Sequence, residues 1–133
     1  MSKQIGKLHF GLEMEEKGAQ WLEGRYPSLT RLVKNYRWKG GELDLVFEDR
    51  TLRKPPELVI VEVRARKSGA LVDGVVSITA PKRMRLARTI RHFLSRYNGP
   101  AHSVRLDVLA WDGANWTHLR DVRLEGAAHR QYH

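Results

Sequence analysis

Leu58-Val59-Ile60-Val61-Glu62-Val63-Arg64-Ala65-Arg66 is the stretch on which the fold turns. Its first half is almost continuously apolar and β-branched, the pattern of a strand covered on both faces in the centre of a sheet. Upstream, Glu42-Leu43-Asp44-Leu45-Val46-Phe47-Glu48 alternates instead. Leu43, Leu45 and Phe47 are expected on one face, and Glu42, Asp44 and Val46 on the other. Gly40-Gly41 marks a turn before that strand, and the moderately apolar Thr30 to Asn35 supplies another strand ahead of the turn. Pro55-Pro56 places a loop between the second strand and the third.

Helical spacing brackets these strands. From about Leu8 to Gly24, Leu8, Leu12, Ala19 and Leu22 share one face at about 100° per residue, and Glu15 falls in the middle of it. Tyr26-Pro27-Ser28 breaks this helix. After a flexible crossover at Gly69 to Gly74, Thr79 and Pro81 read as a cap and a first-turn proline. The helix they start is expected to run to about Tyr97, burying Met84, Ala87, Ile90, Phe93 or Leu94, and Tyr97. Its outer face then carries Lys82, Arg83, Arg85, Arg88, Arg91 and Arg96, and Asn98-Gly99-Pro100 ends it. Val104 to Trp111 and Trp116 to Leu124 form a last pair of strands around Asp112-Gly113-Ala114-Asn115. The order α-β-β-β-α-β-β predicts an α/β fold, a mixed central sheet flanked by helices. A chain of 133 residues has room for one such core, placed at 1–125, with 126–133 as a flexible tail.

The charge narrows the class of partner. Twenty-four Lys and Arg against fifteen Asp and Glu leave a net charge of +9, which attracts polyanions through counterion release. The same excess would also serve as a purely solubilising surface. No apolar run approaches the roughly 20 residues that cross a bilayer, and Met1-Ser2-Lys3-Gln4 lacks the apolar core of a secretion signal. With no cysteine, disulfides, thiolate chemistry and cysteine-held zinc are excluded. A cytoplasmic protein that does not enter membranes is the expectation.

The carboxylates stand out against this background. Asp44 interrupts an apolar strand, Glu62 interrupts the central one, and Glu15 lies on the inward face of the first helix. A buried carboxylate needs a cation, a proton or a wet cleft. Should the helix pack over those strands, Glu15, Asp44 and Glu62 could converge, and oxygen donors of this kind suit Mg²⁺ or Mn²⁺. Glu62, Arg64 and Arg66 share a strand face, which sets an acid beside cations able to stabilise charge on a phosphate. A lone acid of this kind is more often exposed or salt-bridged than a ligand, and it is the three together that point to a site.

These residues carry a family resemblance. Gly40-Gly41-Glu42-Leu43-Asp44-Leu45-Val46 followed by Val59-Ile60-Val61-Glu62-Val63-Arg64-Ala65-Arg66 resembles the YraN-like family of the PD-(D/E)XK nuclease superfamily, to which archaeal Holliday junction resolvases are related. Gly11 with Glu15, Ala19 and Leu22 resembles its first helix, and Asn35-Tyr36-Arg37 its Asn-x-Arg. Ser77-Ile78 with Lys82 and Leu86 resembles its second helix, and Val104-Arg105-Leu106-Asp107-Val108 a later strand. The resemblance implies a restriction-endonuclease-like core with Asp44 and Glu62 as metal ligands, the Val63 carbonyl within reach of the metal, and Glu15 completing the site. Glu42 is expected to fix the turn rather than to bind metal. Where the superfamily usually has lysine, this chain has Arg64, which stays charged and cannot act as a base. Lys82 is the residue that could supply the missing amine, although a solvent-facing role suits it equally.

Together these expectations describe a Mg²⁺- or Mn²⁺-dependent endonuclease acting on structured DNA. Glu15, Asp44, Glu62, Arg64 and Lys82 would be the catalytic set, and Arg66, Arg83, Arg85 and Arg88 would grip phosphates. A non-catalytic nucleic-acid-binding module with the same fold is the alternative. Cutting two strands symmetrically invites a homodimer. Trp21, Trp38, Trp111 and Trp116 suit packing, with Trp38, beside the glycine turn, the best placed to stack on a base. The six histidines show no ligand spacing.

Overall fold

The computed structural model describes residues 2–65 and 79–122, with side chains from residue 9 onward. Arg66, the crossover at 69–74, Ser77-Ile78 and the tail at 126–133 lie outside these residues. The elements are α1 (Ser2–Arg25), β1 (Leu29–Trp38), β2 (Gly41–Asp49), β3 (Glu57–Ala65), α2 (Ala80–Arg96), β4 (Ser103–Trp111) and β5 (Trp116–Leu119). They follow the expected order, and the strands form one sheet in the order β1-β2-β3-β4-β5. Only β3 and β4 run parallel, and α2 lies between them in the chain. β3 pairs on both sides, with β2 and with β4, which accounts for its unbroken apolar run. This mixed sheet with its two helices is consistent with a restriction-endonuclease-like core.

Each helix covers a separate apolar cluster. On the α1 side Ala19 and Leu22 pack with Leu45, Phe47, Val59 and Val61. On the α2 side Leu86 and Ile90 pack with Leu43, Val46, Ile60 and Leu106. Arg31 of β1 tethers α1, reaching Glu16 and Glu23 at 2.8 Å each. α2 starts as its sequence predicts, with Thr79 as cap accepting from the Lys82 N–H at 3.4 Å.

Several expectations are corrected. β1 continues past Asn35 to Trp38, and β5 ends at Leu119. Met84 is 66% exposed, and Leu86 takes the inward position. The cause is the seat of α2: Thr89 and the Arg85 carbonyl rest against Gly41, which turns Leu86, Ala87, Thr89 and Ile90 to the sheet. Leu43 leaves the line of Leu45 and Phe47 and joins the α2 cluster. The β2–β3 ladder stops at Leu45↔Val61, so the start of β2 pairs with β1 alone, and two-stranded ribbons twist more strongly than wider sheets.

Candidate active site

The end of that ladder is where the site begins. Beyond Leu45↔Val61 the two strands part, and the next residues along them are Asp44 and Glu62. The Val63 N–H donates to Asp44 Oδ2 at 2.8 Å. Glu62 Oε1 lies 2.9 Å from Lys82 Nζ at the start of α2. Glu15 on α1 and Glu42 on β2 bring carboxylate oxygens that, with one from Asp44, all lie within 4.8 Å of one another. Asn35 links two of these acids, its Nδ2 donating to Glu15 at 2.6 Å and to Glu42 at 3.3 Å. Arg37 Nε donates to Glu42 at 3.0 Å. A cleft of about 210 Å³, lined by Asp44, Glu62, Lys82, Arg85, Leu86 and the 40–42 segment, opens over this junction.

Two buried aspartates on this sheet show what sets the site apart. Asp107 on β4 is 1% exposed. Burial pushes its carboxyl up, yet His118 Nε2 at 2.8 Å, the Asp121 N–H at 2.9 Å and Arg105 Nε at 3.1 Å hold it below the usual range. Asp44 goes the other way. Burial and then the charge of Glu62 raise it to about 9, with Glu15 and Glu42 adding to the push and the Val63 N–H opposing it. Glu15 is raised as well, first by burial and further by Glu42, against hydrogen bonds to Asn35 and Asp44. Asp107 is neutralised within the protein, whereas Asp44 faces other acids. The set of oxygen donors and the excess of negative charge fit a hard divalent cation.

The sequence-derived residues are distributed as follows. Glu15, Asp44, Glu62 and Lys82 meet at the junction. Among the described residues Glu15, Glu42 and Asp44 form a group of carboxylates close enough to share an ion, so Glu42 stands nearer to Asp44 than a turn-fixing role requires. Glu62 is paired with Lys82. Val63 meets Asp44 through its N–H. Arg64 is part-buried on β3 and does not line the cleft. Of the arginines on α2, Arg85 lines the cleft; Arg88 is exposed and Arg83 part-buried. Asp107 lies on β4 in its own ion network, away from these acids.

The sequence profile of the uncharacterised protein family UPF0102 matches residues 14–111. The chain belongs to this family. A UPF0102 protein of Klebsiella pneumoniae subsp. pneumoniae is 36% identical over 124 residues, which is 92% of this chain and 88% of that protein. UPF0102 proteins YraN of Salmonella newport and Salmonella heidelberg are each 35% identical over 123 residues, 91% of this chain and 88% of theirs. The segment that matches UPF0102 contains every residue of the junction, from Glu15 to Lys82.

Asn35 is the residue of the candidate site in this UPF0102 chain whose part the sequence did not disclose. Its backbone is left-handed, with φ 57°, a conformation that asparagine tolerates better than most residues. The only sequence signal was its place in the Asn-x-Arg run. At an ordinary strand position glycine destabilises more than alanine, but here the order should invert. Asn35→Gly keeps the backbone and loses the amide, for about 1–2 kcal/mol. Asn35→Ala loses the amide and adds about 1 kcal/mol of backbone strain. Urea denaturation of both variants checks this, and alanine proving the milder change would rule it out.

Proposed function

We propose that this protein is a divalent-metal-dependent nuclease acting on structured DNA. The observation that carries it is the convergence of Glu42, Asp44 and Glu62 beside Lys82 at one cleft, with Glu15 grouped against Glu42 and Asp44. The net charge of +9 supports a polyanionic substrate. Asp44, Glu15 and Glu42 would hold the ion, with Glu62 at the same junction as a further ligand or as the partner that orients Lys82. When bound, Mg²⁺ or Mn²⁺ would supply Lewis acidity towards a phosphate oxygen and make water a stronger nucleophile.

The remaining steps fall to side chains of this chain. The Lys82 ammonium, held by Glu62 at 2.9 Å, can orient the attacking water and take up charge growing on the phosphate. Arg85, at the cleft wall, can bind a non-bridging oxygen of the same phosphate or of its neighbour. Water adds to phosphorus and gives up one proton to solvent, one P–O ester bond breaks, and the departing alkoxide takes a proton from solvent, so one water is consumed for each ester cut. Arg64 stays charged and serves electrostatics alone.

Cleavage tested over linear, flapped and four-way DNA with Mg²⁺ and Mn²⁺ decides the matter. The expected result is metal-dependent cutting that Glu62→Ala and Lys82→Ala each lower by about 100-fold or more. DNA binding without turnover under either metal would favour a non-catalytic binding module, a reading that Arg64 in the lysine position also supports. A protein that neither bound nor cut DNA would overturn the proposal. Sedimentation of the DNA complex reads whether two copies assemble on a substrate cut in both strands.

A further inference from the structure

We propose that Trp38, with Arg37 and Lys39, forms a subsite for the base of an unpaired DNA nucleotide next to the carboxylate cleft. It rests on the nuclease reading for the position of the DNA, and it narrows the substrate to DNA with a flap, gap or other unpaired residue beside the cut.

The β1–β2 connection is a tight hairpin in which Trp38 pairs with Gly41. Its central residues, Lys39 and Gly40, have φ 44° and 80°. Two successive positive φ values favour Asn-Gly or Gly-Gly at such turns, so lysine at the first position works against local preference and sets a cation at the hairpin tip. Trp38 lies flat on His92 of α2, with ring centroids 4.4 Å apart and planes at 13°. His92 is fixed in turn by the Tyr36 hydroxyl, 2.5 Å from its Nδ1. An indole backed by a second ring and clamped between hairpin and helix is a rigid platform, which is what stacking a base requires. The Lys39 ammonium lies 4.9 Å from the centre of that indole, and a lysine side chain is long enough to move from the ring to a phosphate.

A cavity of about 380 Å³ adjoins this platform, lined by residues 37–42. It shares Gly40, Gly41 and Glu42 with the carboxylate cleft. The ledge between the two spaces is therefore built largely of glycine, and a Cβ at Gly40 would meet nothing within 4 Å. A strand whose phosphate sat at the acids could cross that ledge over Gly40 and bring its next base to Trp38. Arg37, holding Glu42 at 3.0 Å with its side chain 67% exposed, stands beside that path. Inside an intact duplex both faces of each base are already stacked, so away from duplex ends an unpaired nucleotide is what can use the platform.

Fluorescence anisotropy with a gapped DNA probe and a blunt duplex of equal length tests this. The unmodified protein should prefer the gapped probe, and Trp38→Ala should weaken that binding by about tenfold while leaving the blunt duplex unchanged. Trp38→Phe should keep most of the affinity. A second measurement does not depend on how the variants fold: an abasic residue moved through the gap should weaken binding by the unmodified protein at one position. No such position, or equal loss on both probes in Trp38→Ala, would overturn the subsite while leaving the nuclease reading standing. Failure of the unmodified protein to bind any of these DNAs would overturn both.

Discussion

Replacing Asp44 with asparagine should make the metal-free protein more stable, by about 1–3 kcal/mol near neutral pH. The substitution keeps the size of the side chain and an oxygen for the Val63 N–H, and it removes a carboxyl that must take up a proton to fold beside Glu62, Glu15 and Glu42. The folded protein raises Asp44 from 3.8 to about 9, so the folded state binds a proton that the unfolded state has released across that interval. A raised group contributes its stabilisation fully below the unfolded value and loses it as pH rises through the folded one. The unmodified protein should therefore weaken relative to Asp44→Asn from pH 5 to pH 9, with the gap largest at the alkaline end. Urea midpoints at pH 5, 7 and 9 read this directly. An asparagine variant less stable than its parent at all three would show that the acids are compensated after all. Under the nuclease proposal, millimolar Mn²⁺ should raise the melting temperature of the parent and leave the variant unmoved.

Gly41→Ala should cost about 2–3 kcal/mol. A Cβ at this position would lie 2.0 Å from Thr89 Oγ1 and 3.1 Å from the Arg85 carbonyl oxygen. Thr89 is 1% exposed and donates to that same carbonyl at 2.7 Å, so neither atom can yield without moving α2. Displacing the helix would carry Lys82 away from Glu62. Thr89→Ala in the same chain should restore part of the loss, giving a coupling of about 1 kcal/mol in a double-mutant cycle. Gly40→Ala is the contrast. It meets open space but has φ +80°, so about 1 kcal/mol of strain is expected. Thermal denaturation of the four variants checks the series, and a Gly41→Ala within 0.5 kcal/mol of its parent would mean that the helix seat is not tight.

Much of the fold could be read from local rules. The unbroken apolar start of β3 marks a strand paired on both sides, and Thr79 with Pro81 marks the first turn of α2 because capping chemistry is written in adjacent residues. Whatever depends on how elements meet was not legible. Met84 and Leu86 are both apolar and two positions apart, and only the contact of α2 with Gly41 decides which one is buried. The alternation of β2 holds from Leu45 onward and fails at Leu43, where pairing with β3 no longer enforces it. Polarity out of place pointed to Asp44, Glu62 and Glu15. It could not separate Glu42 from an ordinary turn acid, because its nearness to Glu15 arises from the way α1 lies across the sheet and from the amide of Asn35.

The parting of β2 and β3 has a consequence of its own. A sheet can open a notch only where its rungs give out, so the place available for chemistry is fixed by backbone pairing before any acid is chosen. Exchanging the carboxylates for other groups would alter what the notch does and leave the notch itself intact. The scaffold is in that sense a socket, which other side chains could refit without rebuilding the core.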